Sequence, residues 1–228
     1  MNILAIDTST SWLTIVCGDQ TAIRGKFSEN IGNQHSEKLV GAAELLLEKS
    51  GLKLSDVGLA GVVTGPGSFT GLRVGISFVK GLAMALGIKT IGLNTLDALA
   101  HAASGLKATR VSPMIDARRG QVYAALYNVE NDSCKRISDY TAAGPEDWMK
   151  MLPNNTLLYG SGTETYQDLI KEQYGHLKLL EKNIASPCPE SLYKMTVREM
   201  KQGNYTDPED LDAFYIRQAD AVCKPKMQ

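Results

Sequence analysis

The chain has 228 residues, 43% hydrophobic and 21% charged, enough to bury one large core or two compact lobes. Its 24 Lys and Arg nearly balance 25 Asp and Glu, a formal charge of -1, which argues against an unaided grip on nucleic acid through a basic surface. Four widely spaced cysteines (Cys17, Cys134, Cys188, Cys223) exclude a disulfide framework or a CxxC zinc site. No apolar segment approaches the ~20 residues of a membrane span. Asp7 arrives too early for a secretion signal. A reducing cytoplasm is the expected setting.

In chain order, residues 3–6 predict a short apolar strand ending at Asp7, followed by the hydroxyl-rich turn Thr8-Ser9-Thr10-Ser11. Residues 12–17 and 21–27 predict a second and third strand, joined by close turns as an antiparallel meander. Residues 35–50 read as an amphipathic helix with Leu39, Ala42, Ala43, Leu46 and Leu47 on one stripe, stopped at Gly51. A buried strand follows at 59–64, then a glycine-rich turn, a helix reaching Leu86 with Gly87 as its C-cap, and a strand at 88–93. This order implies a mixed sheet flanked by helices.

A second lobe is expected to begin near residues 103–105. Strands are predicted at 111–116 and 121–129 around the turn Ala117-Arg118-Arg119-Gly120, and another at 157–159. Helices are predicted at 145–152 and 190–201, with polar surface connections at 128–136 and 204–210. The expected partition is a first lobe of residues 1–103, a second of 104–210, and a terminal segment, 211–228, packing back on the first.

The stretch most suggestive of chemistry is Gly65-Pro66-Gly67-Ser68-Phe69-Thr70-Gly71-Leu72-Arg73, between strand and helix. Bare backbone N–H groups at a helix N-terminus suit a phosphate or another anion. Gly and Pro equally make plain connectors, and Ser68 or Thr70 equally serve as caps; the residues leave both uses open. Gly71, Gly75, Gly81, Ala83, Ala85 and Gly87 thin the following helix, although each interior glycine costs about 1 kcal/mol relative to alanine. Close packing offsets that cost, either inside the chain's own lobe or against a partner's helix. Arg118 and Arg119 fit a solvated hairpin tip or the lining of a cleft.

Asp7-Thr8-Ser9-Thr10, Gln34-His35-Ser36-Glu37-Lys38-Leu39, the 65–73 turn, Asp116-Ala117-Arg118-Arg119-Gly120-Gln121-Val122-Tyr123 and the closing Phe214-Tyr215-Ile216-Arg217 stand in order across nearly the whole chain. Together they resemble the bacterial TsaB (YeaZ) family. The resemblance implies an α/β, actin-like and sugar-kinase-like fold of two related lobes with mixed sheets flanked by helices. It implies a non-catalytic role in making threonylcarbamoyladenosine beside the anticodon of tRNA. The implied partners are the catalytic paralogue TsaD, as a heterodimer, and the ATPase TsaE; family members also self-associate. Any tRNA contact is expected to be indirect, through the complex.

Against that family background, TsaD-type proteins bind a metal through two histidines four positions apart. Here His35 is followed at that spacing by Leu39, and His101 and His176 are isolated, so no metal site is expected. Actin-like ATPases carry Asp-x-Gly-Thr at the first hairpin, where this chain has Ser9. Asp7, Thr8, Ser9, Thr10, Gly65, Pro66, Gly67 and Ser68 are therefore expected to form a weak or vestigial phosphate loop. Gly160-Ser161-Gly162 is a slender signal for an adenosine clamp. No cofactor of the chain's own is expected, with ATP or ADP at the interface of the complex left open. Neither a nucleophile with a positioned base nor His-Glu-x-x-His is present, so protease chemistry and catalytic residues are not expected. The expected partner surface is His35, Leu39, Ala42, Leu46, Leu47, Gly71, Gly75 and Val79. An autonomous ATPase or small-molecule kinase, and a self-associating regulator, remain the rival functions.

Overall fold

The computed structural model describes residues 1–130, 133–181, 184 and 186–216. Cys223, Arg217 and the expected return of 217–228 lie outside the described residues.

The first sheet is built from β1 (Asn2–Asp7), β2 (Trp12–Gly18), β3 (Ile23–Asn30), β4 (Val57–Gly65) and β5 (Lys89–Asn94), in the order β3-β2-β1-β4-β5. The two hairpins pair antiparallel, whereas β4 and β5 join parallel to β1 after helical crossovers. The first of those crossovers is α1 (His35–Lys49) and the second α2 (Phe69–Leu86). Alternation along the strands divides the lobe into two cores. Leu4, Ile6, Leu13, Ile15, Ala60 and Val62 point toward α1 and α2. Ile3, Ala5, Val16, Leu59 and Val63 point to the opposite face.

That opposite face is covered by α3 (Thr95–Ala102) and by the last helix, and here the structure departs from expectation. No helix is foreseen at 95–102. Asn94 ends β5 and caps α3 at once, its Oδ1 accepting from Leu96 N at 2.8 Å. Leu96, Leu99 and Ala100 face the second lobe while Ala98 faces the first sheet, so α3 is buried on two sides and forms the joint between lobes.

The second sheet comprises β6 (Arg110–Arg118), β7 (Gln121–Ala124), β8 (Tyr127–Glu130), β9 (Ser133–Arg136), β10 (Thr141–Ala143), β11 (Leu157–Tyr159) and β12 (Lys178–Leu179). Its main path is β10-β7-β6-β11-β12, with β8 pairing the start of β6 and β9. The single strand expected at 121–129 thus breaks after Ala124. β9 occupies part of the expected connection at 128–136, a polar strand held by its register on β8 rather than by burial. Helices α4 (Pro145–Lys150), α5 (Ser161–Thr165) and α6 (Gln167–Gln173) cover the outer face around Trp148, Met149 and Ile170.

The chain then returns. Helix α7 (Pro189–Gln202) packs Leu192, Met195, Val197 and Met200 on the first sheet, although its sequence position assigns it to residues 104–210. Gly61 admits it, since a Cβ there would stand 2.8 Å from Thr196 Oγ1. The strap at 203–216 follows the same sheet: Thr206 bridges Thr90, Leu211 is buried in the α1–α2 core, and Phe214 N donates to Thr64 O at 2.8 Å. One described helix, α2, has the length and apolar composition to cross a membrane, against the expectation that no segment approaches that length. Its Leu72, Ile76, Val79 and Leu82 are buried in the first lobe's core.

Candidate functional site

The first hairpin turn and the 65–68 loop come together as the sequence pattern suggests, but they interlock. Thr8 Oγ1 donates to Gly71 O at 2.8 Å, and Ser68 N donates to Ser9 O at 2.7 Å. Ser68 Oγ caps α2 by accepting from Gly71 N at 3.3 Å. Thr10 Oγ1 accepts from Trp12 N at 3.1 Å. A Cβ on Gly67 would overlap the Ser9 carbonyl oxygen and stand 2.9 Å from the Ser9 Cβ. Gly65 holds φ at 125°, closed to most side chains, joins Pro66 through a cis peptide, and lies under the strap with Phe214 O 2.7 Å from where a Cβ would be. Thr8, Ser9, Ser68 and Gly71 thus bond one another across the place where a phosphate would sit.

Asp7 is fully buried at the centre of this knot. Ser9 N donates to its Oδ1 at 2.8 Å, and its Oδ2 has no partner. Burial pushes the carboxyl up to about 6, against the opposing pull of the Ser9 hydrogen bonds. The hydroxyls of Ser9 and Thr95 are also buried without a partner.

The expected partner surface divides. Leu39, Leu47 and Val79 are buried in the chain's own core, and His35 is nearly so, its Nε2 donating to Trp12 O at 3.3 Å. Gly71 and Gly75 face inward: a Cβ on Gly71 would overlap the Thr8 carbonyl oxygen, and one on Gly75 the Thr8 Oγ1. These six residues are corrected from partner surface to interior, because Leu39, Leu47 and Val79 pack into the core, His35 is tied to β2 and the two glycines make room for Thr8. Ala42 and Leu46 remain half-buried beside an open groove of about 400 Å³ between β3 and α1, walled by Phe27 and Lys38. The outward faces carry other residues. Leu45 is 51% exposed and Met84 67%, with Val40 and Phe69 open too, and Gly41 and Gly81 have nothing within 4 Å of a built Cβ.

Among the described residues no three His, Cys, Asp or Glu side chains cluster in a metal-holding arrangement. His101 lies 3.0 Å from Arg198 Nη1, and burial and that guanidinium hold its ring below the usual histidine range. Arg118 and Arg119 occupy a left-handed turn; Arg118 N and Nη1 both donate to Asp116, whose own N–H donates to Ser161 Oγ. Sequence reasoning missed a polar contact between α3 and the second lobe. Tyr127 and Tyr140 each donate to one oxygen of Asp97 on α3, both at 2.7 Å, and burial together with that carboxylate raises both phenols. An aspartate three residues after the capping Asn94 was the available signal.

Two lobes of mixed sheet flanked by helices, with the first hairpin meeting the β4–α2 loop, define an actin-like fold. The model of the family described as TsaD: tRNA N6-adenosine threonylcarbamoyltransferase matches residues 20–214. The chain is 30% identical over 222 residues to the tRNA threonylcarbamoyladenosine biosynthesis protein TsaB of Escherichia coli K12, covering 95% of each. It is 29% identical to the protein of that name from Bacillus subtilis 168, covering 98% of this chain and 97% of the relative. The solved structure of YeaZ from Pseudomonas aeruginosa superposes with a TM-score of 0.78 at 25% identity, over 94% of this chain and all (100%) of that one. The chain belongs to the TsaB (YeaZ) family.

Proposed function

We propose that this chain serves tRNA threonylcarbamoyladenosine synthesis as a subunit with no catalytic residue of its own. It holds a TsaD-type threonylcarbamoyltransferase through the outer face of α1 and α2, and a TsaE-type ATPase joins that assembly. One contrast carries the reading. Thr8 Oγ1, Ser9 O and the backbone and hydroxyl of Ser68 bond across the hairpin and loop, whereas the outward sides of α1 and α2 leave Val40, Leu45 and Met84 open, with nothing over Gly41 and Gly81. Exposed apolar side chains beside unshielded helix backbone suit another helix packed closely. The names of the E. coli and B. subtilis relatives support the pathway, and the likeness of this chain to the transferase family model is consistent with pairing between two related subunits. ATP or ADP belongs, on this reading, between the subunits rather than in the hairpin.

The test is co-expression with a TsaD-type transferase. Leu45→Glu and Met84→Glu should each keep the wild-type thermal midpoint and lower recovered partner by about tenfold or more, since a charge is forced into an apolar contact. Wild-type recovery from both folded variants refutes the surface. Nucleotide turnover by the isolated chain that drops on Asp7→Ala favours the ATPase reading instead. A self-dimer abolished by the same two glutamates, with transferase recovery intact, favours a self-associating regulator.

A further inference from the structure

The first sheet ends differently at its two edges. At β5 the chain's own strap covers the edge, where Thr206 bridges Thr90 and its N–H donates to Thr90 O at 2.9 Å. At the other end stands β3, eight residues long and paired only with β2. Among the described residues nothing else bonds its backbone. An open strand edge is a row of unmet donors and acceptors, which charges, proline or bulges commonly guard. β3 contains no proline, and its two cations are engaged elsewhere: Arg24 pairs with Asp19, and Lys26 with Glu190 of α7 on the opposite face.

Beside this edge lies the groove of about 400 Å³ between β3 and α1. Phe27 lines it from the strand, and Ala42, Leu45 and Leu46 line it from the helix. Lys38 and Lys49 stand eleven positions apart along the helix wall, about 16 Å. Neither has a carboxylate three or four positions away on α1, and neither forms an ion pair among the described residues. The groove's lining residues include one carboxylate, Glu37, against three lysines.

We propose that the β3 edge and this groove receive an extended segment of a partner protein, added to the five-stranded sheet as a further strand. Its backbone pairs with β3, its inward side chains are apolar and lie over Phe27 and Leu45, and carboxylates near its two ends meet Lys38 and Lys49. Carboxylates four or six positions apart share one face of a strand and lie about 13 or 20 Å apart, within reach of both lysines. A helix lying in the groove would leave the edge of β3 unmet, so the backbone favours a strand. The contact adjoins the proposed transferase face but uses the sheet edge rather than the outward side of α2.

The experiment selects nine-residue peptides displayed on phage against the full chain, and the most enriched sequence is then synthesised. It should alternate apolar residues and carry carboxylates toward both ends. At saturation it should slow amide exchange in residues 23–30. Reversing both lysines together, Lys38→Glu with Lys49→Glu, should weaken it roughly tenfold while circular dichroism shows the fold intact. A peptide whose carboxylates are replaced by lysine should regain that affinity on the double variant, and Lys171→Glu on α6 should change nothing. Enrichment of no peptide, or of basic ones, overturns the proposal. So does unchanged exchange in β3, which assigns the groove to a helix, or equal affinity for the double variant. Sedimentation showing a dimer that the peptide dissociates assigns the edge to a second copy of the chain and overturns it too. None of these readouts uses the transferase, so the subunit assignment and this inference fail separately.

Discussion

The two halves of α2 are equally rich in small residues but put them to opposite use. In the first half, Gly71 and Gly75 turn inward and let the hairpin residue Thr8 lie against the helix backbone, with Thr8 Oγ1 bonded to Gly71 O. In the second half, Gly81 turns outward between exposed Ser77 and Met84, with nothing near it. The same composition records an internal contact at one end and an open surface at the other. Glycine in a helix therefore reports that backbone is approached, or left approachable, and not by what.

The largest effect that could break this comparison is at Gly71. A methyl there meets the Thr8 carbonyl oxygen, a backbone atom that cannot rotate away, so Gly71→Ala should destabilise by about 3 kcal/mol despite alanine's better helix propensity. At Gly75 the obstacle is the Thr8 side chain, so Gly75→Ala should be costly alone and largely rescued by Thr8→Ala. Urea unfolding of the singles and the double measures that coupling. Additive losses would show that Thr8 is not what the glycine accommodates.

The interior end also carries a pH signature. The buried Asp7 carboxyl takes its proton at about 6, against 3.8 for the unpaired group in the unfolded chain. Between those values the folded state holds more protons, so this group's contribution to stability falls as pH rises from about 4 to 6 and is level above. At about 1.4 kcal/mol per unit of separation the loss is of order 2–3 kcal/mol. Asp7→Asn keeps the Oδ1 acceptor for Ser9 N but puts an amide at the Oδ2 position, which has no partner. The variant should be less stable than wild type near pH 4 and more stable at pH 8. Denaturant midpoints for both proteins at those two pH values test this, and parallel pH profiles would mean that Asp7 does not titrate in that window.

Much of the first lobe was legible because its elements are local. The short apolar runs of β1 and β2, the striped α1 and the capped α2 each declare themselves within a dozen or so residues. The interlocked hairpin and loop were legible as neighbours through motif order, but not as groups that satisfy one another, since that needs the distance from Ser68 N to Ser9 O. Helix α3 escaped because it follows β5 with no intervening loop and is buried on both sides, leaving no polar stripe to mark its period. For α7 the amphipathic pattern was plain, yet which sheet it covers depends on Gly61 and Thr196, more than a hundred positions apart. The partner face was misread for a related reason. Leu39 and Leu47 share a stripe with each other and not with Leu45, and only the sheet beneath α1 decides which stripe is interior.

The smallest effect sharpens the outward end of α2. Gly81 is helical, exposed and uncrowded, so Gly81→Ala should stabilise the isolated chain by about 0.5–1 kcal/mol through backbone entropy and propensity alone. If a partner's helix lies against that backbone, the added methyl holds it off, and recovery of the transferase should fall even as the denaturant midpoint rises. Stability and assembly would then move in opposite directions from one methyl group, which a folding defect cannot produce. A gain in stability with unchanged recovery would place the contact elsewhere on α1 or α2 and leave the glycine without a role in assembly.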